Sequence, residues 1–284
     1  MNLLFSIDGK SVPLLFTCVH SIIKNGGYKN YSAFVLHSDL SEQSIFEIQR
    51  YFETIEWHFI HVPAEMFKGF PTVKRYPEQI YYRLAAPVLL PKEIDKVLYL
   101  DVDTIVINPL NELVEQGFEE NLYIACTNTK YALTKFNQLR LGIPVEKDVP
   151  YVNTGVLLMN LRELRKCFRL NDLREFMEKK KELLWLPDQD ILTALYGEKV
   201  KIIDQIRFNL SDRTLALHNI KNLDHMIDLD WVSNNVIIIH YFGKNKPWKE
   251  DYKGVLGQFY YEIINELSEN MNEYKKRRKD DEEN

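Results

Sequence analysis

The stretch Lys96-Val97-Leu98-Tyr99-Leu100-Asp101-Val102-Asp103-Thr104-Ile105-Val106 constrains this chain more than any other. An apolar run rich in Val, Leu and Tyr reads as a buried strand of a parallel sheet. It stops at two carboxylates one residue apart and then resumes. Ligands of open α/β sheets sit outside the carboxyl ends of the strands. Asp101 and Asp103 are expected to project there, with Val102 between them turned to the core. Like charges this close repel each other. A shared divalent cation keeps both ionised, and hard carboxylate oxygens suit Mg²⁺ or Mn²⁺. The competing reading is two solvated loop carboxylates, but apolar sequence presses in from both sides. An acid–X–acid pair alone is a weak signal, so the other segments decide.

Strands and helices alternate before it. Residues 3–7 read as a first strand ending at Asp8-Gly9, and 12–25 as a helix stopped by Gly26-Gly27. Residues 33–36 and 57–62 read as further strands, with a helix over 42–53 that puts Ile45, Ile48 and Phe52 on one face. A helix interrupted by Pro87 is expected over 80–90. This alternation predicts βαβ units, with the carboxylate pair closing roughly the fourth strand. Neither a GxGxxG nor a GxxxxGK[ST] follows any strand, which argues against a dinucleotide fold and a P-loop. Beyond residue 106, short strands are expected at 123–126, 156–159 and 236–239, and helices at 171–184 and 191–196. Residues 128–150 read as a polar surface excursion able to cover a site.

A chain of 284 residues suffices for one large α/β domain or two small ones. The net charge of −5 gives no sign of a nucleic-acid partner. Cys18, Cys126 and Cys167 are scattered and odd in number, which fits a reducing compartment rather than a disulfide framework. The N-terminus lacks a basic region and reads as a strand, not a signal peptide, and no apolar run is long enough to span a bilayer. A cytoplasmic location follows, with the inner membrane face as the alternative. Residues 255–274 are helical by period, followed by Lys275-Lys276-Arg277-Arg278-Lys279. That end could bind an anionic membrane weakly, but Asp280, Asp281, Glu282 and Glu283 cancel most of its charge. A docked helix with a solvated tail is at least as good a reading.

Polar groups gather at strand ends and helix starts: Asp8, the Asp101/Asp103 pair, Asn153 with Asp188-Gln189-Asp190, and His240 with Gly243 and Lys246. A histidine ending an apolar strand is usually a hydrogen-bonded core residue. Here a carboxylate pair already calls for a cation, and His240 would complete one face of it. Gly243 and Lys246 suit close approach and neutralisation of a phosphate.

These motifs together resemble glycosyltransferase family 8, the GT-A-fold enzymes that include bacterial lipopolysaccharide galactosyl- and glucosyltransferases and glycogenin. The stretches Tyr81-Tyr82-Arg83-Leu84, LYLDVDTIV, YVNTGVLLMNL, LPDQDIL and HYFGKNKPW stand in family order between about residues 2 and 250. The resemblance implies an α/β, Rossmann-like mixed sheet with flanking helices. It implies one catalytic domain over 1–250, with a nucleotide-sugar half to about 106 and an acceptor half to 250, then a helix and charged tail over 251–284. It implies retaining transfer of glucose or galactose from a UDP-sugar to a hydroxyl acceptor, with Mn²⁺, or Mg²⁺ in its place. Asp101, Asp103 and His240 would bind the metal, and Lys246 the diphosphate, with Gly243 allowing its approach. Asp8 would contact uracil, and Ser6 and Val102 would join the nucleotide site. Arg83, Asn153, Asp188 and Gln189 match positions that hold the donor sugar, with Arg83, Asp188 and Gln189 nearest the chemistry. Asp190 is expected to steady that turn. Lys10-Ser11-Val12 occupies the place where the family often carries a uracil-stacking tyrosine.

Two rival readings remain at this level. DVDTI resembles the first motif of haloacid-dehalogenase-type phosphatases, but about three βα units precede it and no GDxxxD cluster follows. A non-catalytic sugar-nucleotide-binding protein of the same fold would have less need of the Asp188-Gln189 pair. The acceptor, a glycan that could be lipid-linked, is not named by any motif. Segments 128–150 and 211–232 are expected to shape its pocket.

Overall fold

The computed structural model describes residues 1–72, 77–127 and 131–282, without the side chains of residues 131–132 and 277–282. The strands are β1 (Asn2–Ser6), β2 (Tyr31–His37), β3 (Ile55–His61), β4 (Lys96–Leu100), β5 (Thr104–Val106), β6 (Tyr123–Cys126), β7 (Asn153–Asn160), β8 (Val200–Ile202) and β9 (Ile238–His240). The helices of the first half are α1 (Val12–Asn25), α2 (Glu42–Tyr51), α3 (Gln79–Tyr82), α4 (Ala86–Leu89), α5 (Asn111–Val114) and α6 (Tyr131–Leu141). Those of the second half are α7 (Leu161–Cys167), α8 (Leu170–Lys180), α9 (Pro187–Tyr196), α10 (Gln205–Phe208), α11 (Asp212–Lys221), α12 (Leu229–Asn235) and α13 (Gly257–Glu282).

The main sheet has the order β3-β2-β1-β4-β7-β6-β8. It is mixed: β1, β2, β3 and β4 run parallel, while β7 is antiparallel to both β4 and β6. Side chains alternate across it, as a period of two demands. Leu3, Phe5, Val35 and Leu98 pack on one face, and Leu4, Phe34, Val97 and Tyr99 on the other. Helices α1 and α13 cover the first face. Leu267 of α13 joins that core, and Lys24 of α1 pairs with Glu262 and Glu266 of α13. A separate two-stranded sheet joins β5 to β9.

The alternation of strands and helices over the first hundred residues agrees with the sequence. Three local expectations need correction. Residues 80–90 are not one helix interrupted at Pro87. The chain tightens to a 3-10 turn at Arg83–Ala85, and α4 begins afresh with Pro87 in its first turn. Pro87 has no N–H to give the Arg83 carbonyl, so an α-helix cannot continue through it. Segment 128–150 is not wholly irregular, because α6 occupies Tyr131–Leu141. That helix buries Asn137, Gln138 and Leu141 while exposing Leu133, Phe136 and Leu139, which inverts the pattern expected of a helix face. The helix expected over 171–184 ends at Lys180, and Leu183 closes a 3-10 turn instead. The basic cluster 275–279 lies on the backbone of α13, but the side chains from Arg277 onward lie outside the described residues. Among the described residues, no helix is long and apolar enough to cross a membrane.

Candidate active site

Two strand pairings assemble the site. In the β4–β7 pair, Leu100 lies opposite Val156. The Asp101 N–H donates to the Gly155 carbonyl at 2.8 Å, which sets Asn153-Thr154-Gly155 beside the carboxylate. In the β5–β9 pair, Thr104 lies opposite His240, and the Tyr241 N–H donates to the Asp103 carbonyl at 2.9 Å. His240 thus arrives at a carboxylate pair more than a hundred residues away in the chain. Ligand atoms of Asp101, Asp103 and His240 lie within 4.8 Å of one another.

The tautomer of His240 follows from a chain of hydrogen bonds that begins at a backbone group. The Gly155 N–H donates to Asn153 Oδ1 at 3.0 Å, so that atom is the amide oxygen. Asn209 Nδ2 donates to the same oxygen at 2.8 Å, which leaves Asn209 Oδ1 to accept from His240 Nδ1 at 2.9 Å. Nδ1 therefore carries a proton, and in the neutral ring Nε2 carries the lone pair. That Nε2 is buried without a hydrogen-bond donor, 3.0 Å from Asp103 Oδ1 and 3.7 Å from Asp101 Oδ2. A lone pair facing two carboxylate oxygens needs a cation between them. Oxygen and imidazole donors suit Mn²⁺ or Mg²⁺. Gly155 keeps the place clear, because a Cβ there would stand 2.1 Å from His240 Cε1 and 2.9 Å from Asp101 Oδ2. The residues present fit a divalent metal. Asn209 and Gly155 were not singled out from the sequence. Asn209 lies in an unremarkable Arg-Phe-Asn-Leu stretch, and its role exists only through these contacts.

Further charges brace the cluster. Lys246 pairs with Asp103 Oδ2. Burial alone would push the Asp103 carboxyl upward, but His240 in its protonated form and Lys246 outweigh it and hold the group well below the usual carboxylate range. The Tyr99 hydroxyl donates to Asp101 Oδ1 at 2.6 Å. Arg83 is buried over the Tyr99 ring, 4.4 Å from its centroid. Its Nη1 lies 2.9 Å from Asp101 Oδ1, 2.9 Å from the Thr154 carbonyl and 3.6 Å from Asp188 Oδ2. Burial opposes the charge on Arg83, but Asp101 and Asp188 keep the guanidinium ionised.

Asp188, Gln189 and Asp190 open α9 and do three different things. Asp188 lies behind the cavity wall, where it accepts from the Thr154 hydroxyl at 2.6 Å. Burial raises its carboxyl above the ordinary value, against the pull of Arg83. Gln189 lines the cavity, and its Oε1 is buried without a hydrogen-bond partner among the described residues. Asp190 is wholly buried and holds the local architecture. It accepts from Arg140 at 2.6 and 2.9 Å, from the Tyr151 hydroxyl at 2.7 Å, and from the Trp185 and Leu186 N–H groups.

The remaining residues singled out from the sequence border one cavity of about 1390 Å³. Ser6, at the end of β1, lines it with a buried hydroxyl that has no hydrogen-bond partner among the described residues. Val102 is not turned wholly to the core: it is half-buried, packs on the core and also lines the cavity. Asn153, Gly243 and Lys246 line it too. Gly243 has φ +90°, a backbone state that side chains with a Cβ rarely adopt. Asp8 is set differently. Its Oδ1 accepts from the Ser11 N–H and hydroxyl at 2.9 and 2.6 Å, capping the turn at Gly9–Ser11, and Ser11 rather than Asp8 faces the cavity.

A mixed sheet with two acids just past β4, joined over one cavity by a histidine at the end of β9 and an arginine opening a 3-10 turn, fits the GT-A class of fold. Residues 2–252 match the family described as Glycosyl transferase family 8, and the chain belongs to that family. A putative glycosyltransferase of Haemophilus influenzae is 29% identical over 250 residues, 87% of this chain and 73% of that protein. A lipopolysaccharide 1,2-glucosyltransferase of Escherichia coli is 26% identical over 259 residues, 88% of this chain and 73% of that protein. Among solved structures, the galactosyltransferase LgtC in complex with donor and acceptor sugar analogs superposes with a TM-score of 0.78 at 25% identity. That match covers 94% of this chain and 96% of LgtC.

Proposed function

We propose that the protein transfers a glucose or galactose residue from a UDP-sugar to a hydroxyl of a glycan acceptor, with retention at the anomeric carbon and dependence on Mn²⁺. The observation that carries this reading is the buried Nε2 lone pair of His240 facing Asp101 and Asp103. These three side chains would hold the metal, which when bound stabilises the diphosphate as it leaves. Lys246 adds a second positive charge to the same oxygens, and Gly243 lets its loop turn toward them. Ser6 and Val102 border the nucleoside, and Asp8 shapes that wall by capping the turn that presents Ser11. Arg83 and Asn153 face the donor sugar. Arg83 also orients Asp101 and shields it from Asp188. The buried Oε1 of Gln189 is the neutral acceptor best placed to face developing positive charge at the anomeric carbon. Asp188 supports that face from behind. The nucleotide-sugar half would span 1–106 and the acceptor half 107–250. Several relatives are lipopolysaccharide glucosyl- or galactosyltransferases by name, which favours a glycan acceptor that is lipid-linked.

A thermal-shift panel tests the reading, with UDP, UDP-glucose, UDP-galactose, UDP-GlcNAc and GDP-mannose, each with Mn²⁺ or chelator. A ligand at a hundred times its Kd adds about 2.7 kcal/mol to native stability. The expected result is a Mn²⁺-dependent rise with UDP compounds in the parent that is absent in Asp103→Ala. No rise with any UDP compound, or an undiminished rise in Asp103→Ala, would overturn it.

A further inference from the structure

The cavity reaches well past the donor residues. At about 1390 Å³ it exceeds the roughly 300–1,000 Å³ of a pocket for one small ligand, so a second substrate fits beside the donor. Its far wall is α11. The segment leading into α11 is tied to the metal cluster, because Asn209 holds His240 Nδ1 and the His240 N–H donates to the Leu210 carbonyl at 2.7 Å. Ser211 is buried there, whereas Lys221 at the other end is exposed. The helix therefore starts beside the reaction centre and runs outward, and its ten residues span about 15 Å. Thr214, His218 and Lys221 line the cavity at i, i+4 and i+7 spacing, one stripe of the helix. Arg213 lines it near the inner end.

On this wall the cations outnumber the acids. Arg213 and Lys221 are exposed and have no carboxylate partner among the described residues. Asp212 is the acid on the same wall, and both its oxygens are engaged. Oδ2 accepts from the Tyr252 hydroxyl at 2.7 Å, and Oδ1 from the Leu256 N–H at 3.0 Å. A chain of net charge −5 thus turns free positive charge toward its own cavity. The donor diphosphate does not call for it, since the metal cluster and Lys246 stand at the inner end. A neutral glycan would leave both cations to water.

We infer that the acceptor is a glycan carrying anionic substituents, phosphate or carboxylate, which Arg213 and Lys221 bind along α11. The inference rests on the glycosyltransferase reading and adds the acceptor's chemical class to it. Lys221 stands a helix length from the reacting end, so the charge it meets lies on a part of the acceptor beyond the ring that reacts. Charge-assisted hydrogen bonds to phosphate and carboxylate give such a site its selectivity.

The test is calorimetric titration of the full chain saturated with UDP and Mn²⁺. The probes are maltotriose, a maltotriose phosphate monoester and trigalacturonate, with phosphatidylglycerol and phosphatidylcholine vesicles as the lipid arm. The two anionic trisaccharides are expected to bind about tenfold more tightly than maltotriose, the scale of exposed charge-assisted contacts. In the double variant Arg213→Gln/Lys221→Gln the preference should fall to about twofold or less. The swap Arg213→Lys/Lys221→Arg should keep it, and UDP–Mn²⁺ affinity should stay unchanged in both. Equal or absent binding of the three trisaccharides would overturn the inference, as would a preference that survives the double variant. A drop in UDP–Mn²⁺ affinity in the double variant would assign these cations to the donor instead. Binding to phosphatidylglycerol vesicles without a preference among trisaccharides would place the anion on a lipid surface and refute the glycan assignment. A parent that fails to bind UDP with Mn²⁺ would remove the donor reading itself, a result distinct from all of these.

Discussion

At the scale of single residues, the site depends on groups that act through other residues. Asn209 sets the tautomer of His240, and Asn153 sets the amide of Asn209. Removing a partner of this kind typically weakens metal binding about 10- to 100-fold. Asn209→Ala is therefore expected to lower Mn²⁺ affinity by that factor in a nucleotide-free titration, with the carboxylates untouched. An unchanged titration would mean that something else orients His240. Asp188 gives a prediction in pH. Burial raises its carboxyl in the folded state. A raised carboxyl favours folding most below its ordinary value of about 4 and loses that contribution as pH rises through the raised value. Asp188→Asn keeps an acceptor for the Thr154 hydroxyl and never ionises. Urea unfolding between pH 4 and 8 should show Asp188→Asn gaining stability relative to the parent as pH rises. A difference constant in pH would contradict the burial argument.

At the scale of elements, α6 and the start of α9 act as one unit because Asp190 ties them. Its carboxylate collects Arg140 from α6, Tyr151 from the approach to β7, and two backbone N–H groups from the turn before α9. Asp190→Ala would strand a buried guanidinium and those donors, a loss of about 3–5 kcal/mol. The expected signature is a lower urea midpoint together with faster amide exchange across Tyr131–Leu141. Exchange as slow as in the parent would show that apolar packing alone holds α6. The sequence hid this helix because its buried face is polar and its exposed face apolar, a pattern that makes sense only with Asp190 and Trp185 in place. Phe136 lies 5.4 Å from the Trp185 ring, and Arg140 stands 4.7 Å from it.

At the scale of the whole molecule, α13 packs on the body along its first half. Leu256 just before it, and Phe259, Tyr260, Ile263 and Leu267 within it, are buried. At about 1.5–3 kcal/mol for each large buried side chain, their loss rivals the roughly 5–15 kcal/mol that holds a typical domain together. A chain ending before Leu256 is expected not to fold. One ending after Tyr274 should melt within about 2 °C of the parent, since no side chain described beyond that point is buried. A large loss of Tm on removing 275–284 would show that the charged end packs on the body.

The sequence by itself determined the βαβ order of the first half, the strand ending at Asp101 and the chemistry of the separate motifs. These are local properties, written in hydrophobic period and in which side chains carry donors. It also carried the motif series by which the family could be named. Tertiary structure alone decided that His240 lies opposite Thr104, that Asn209 holds the imidazole, and that Gly155 faces the Asp101, Asp103 and His240 side chains. It decided as well that Asp8 caps a turn while Ser6 and Ser11 face the cavity, and that α11 sets along that cavity Arg213 and Lys221, which have no carboxylate partner among the described residues. Each of these depends on strand register or on the meeting of segments far apart in the chain. Register is an outcome of the whole packing, because a shift of one residue turns every side chain of a strand to the opposite face.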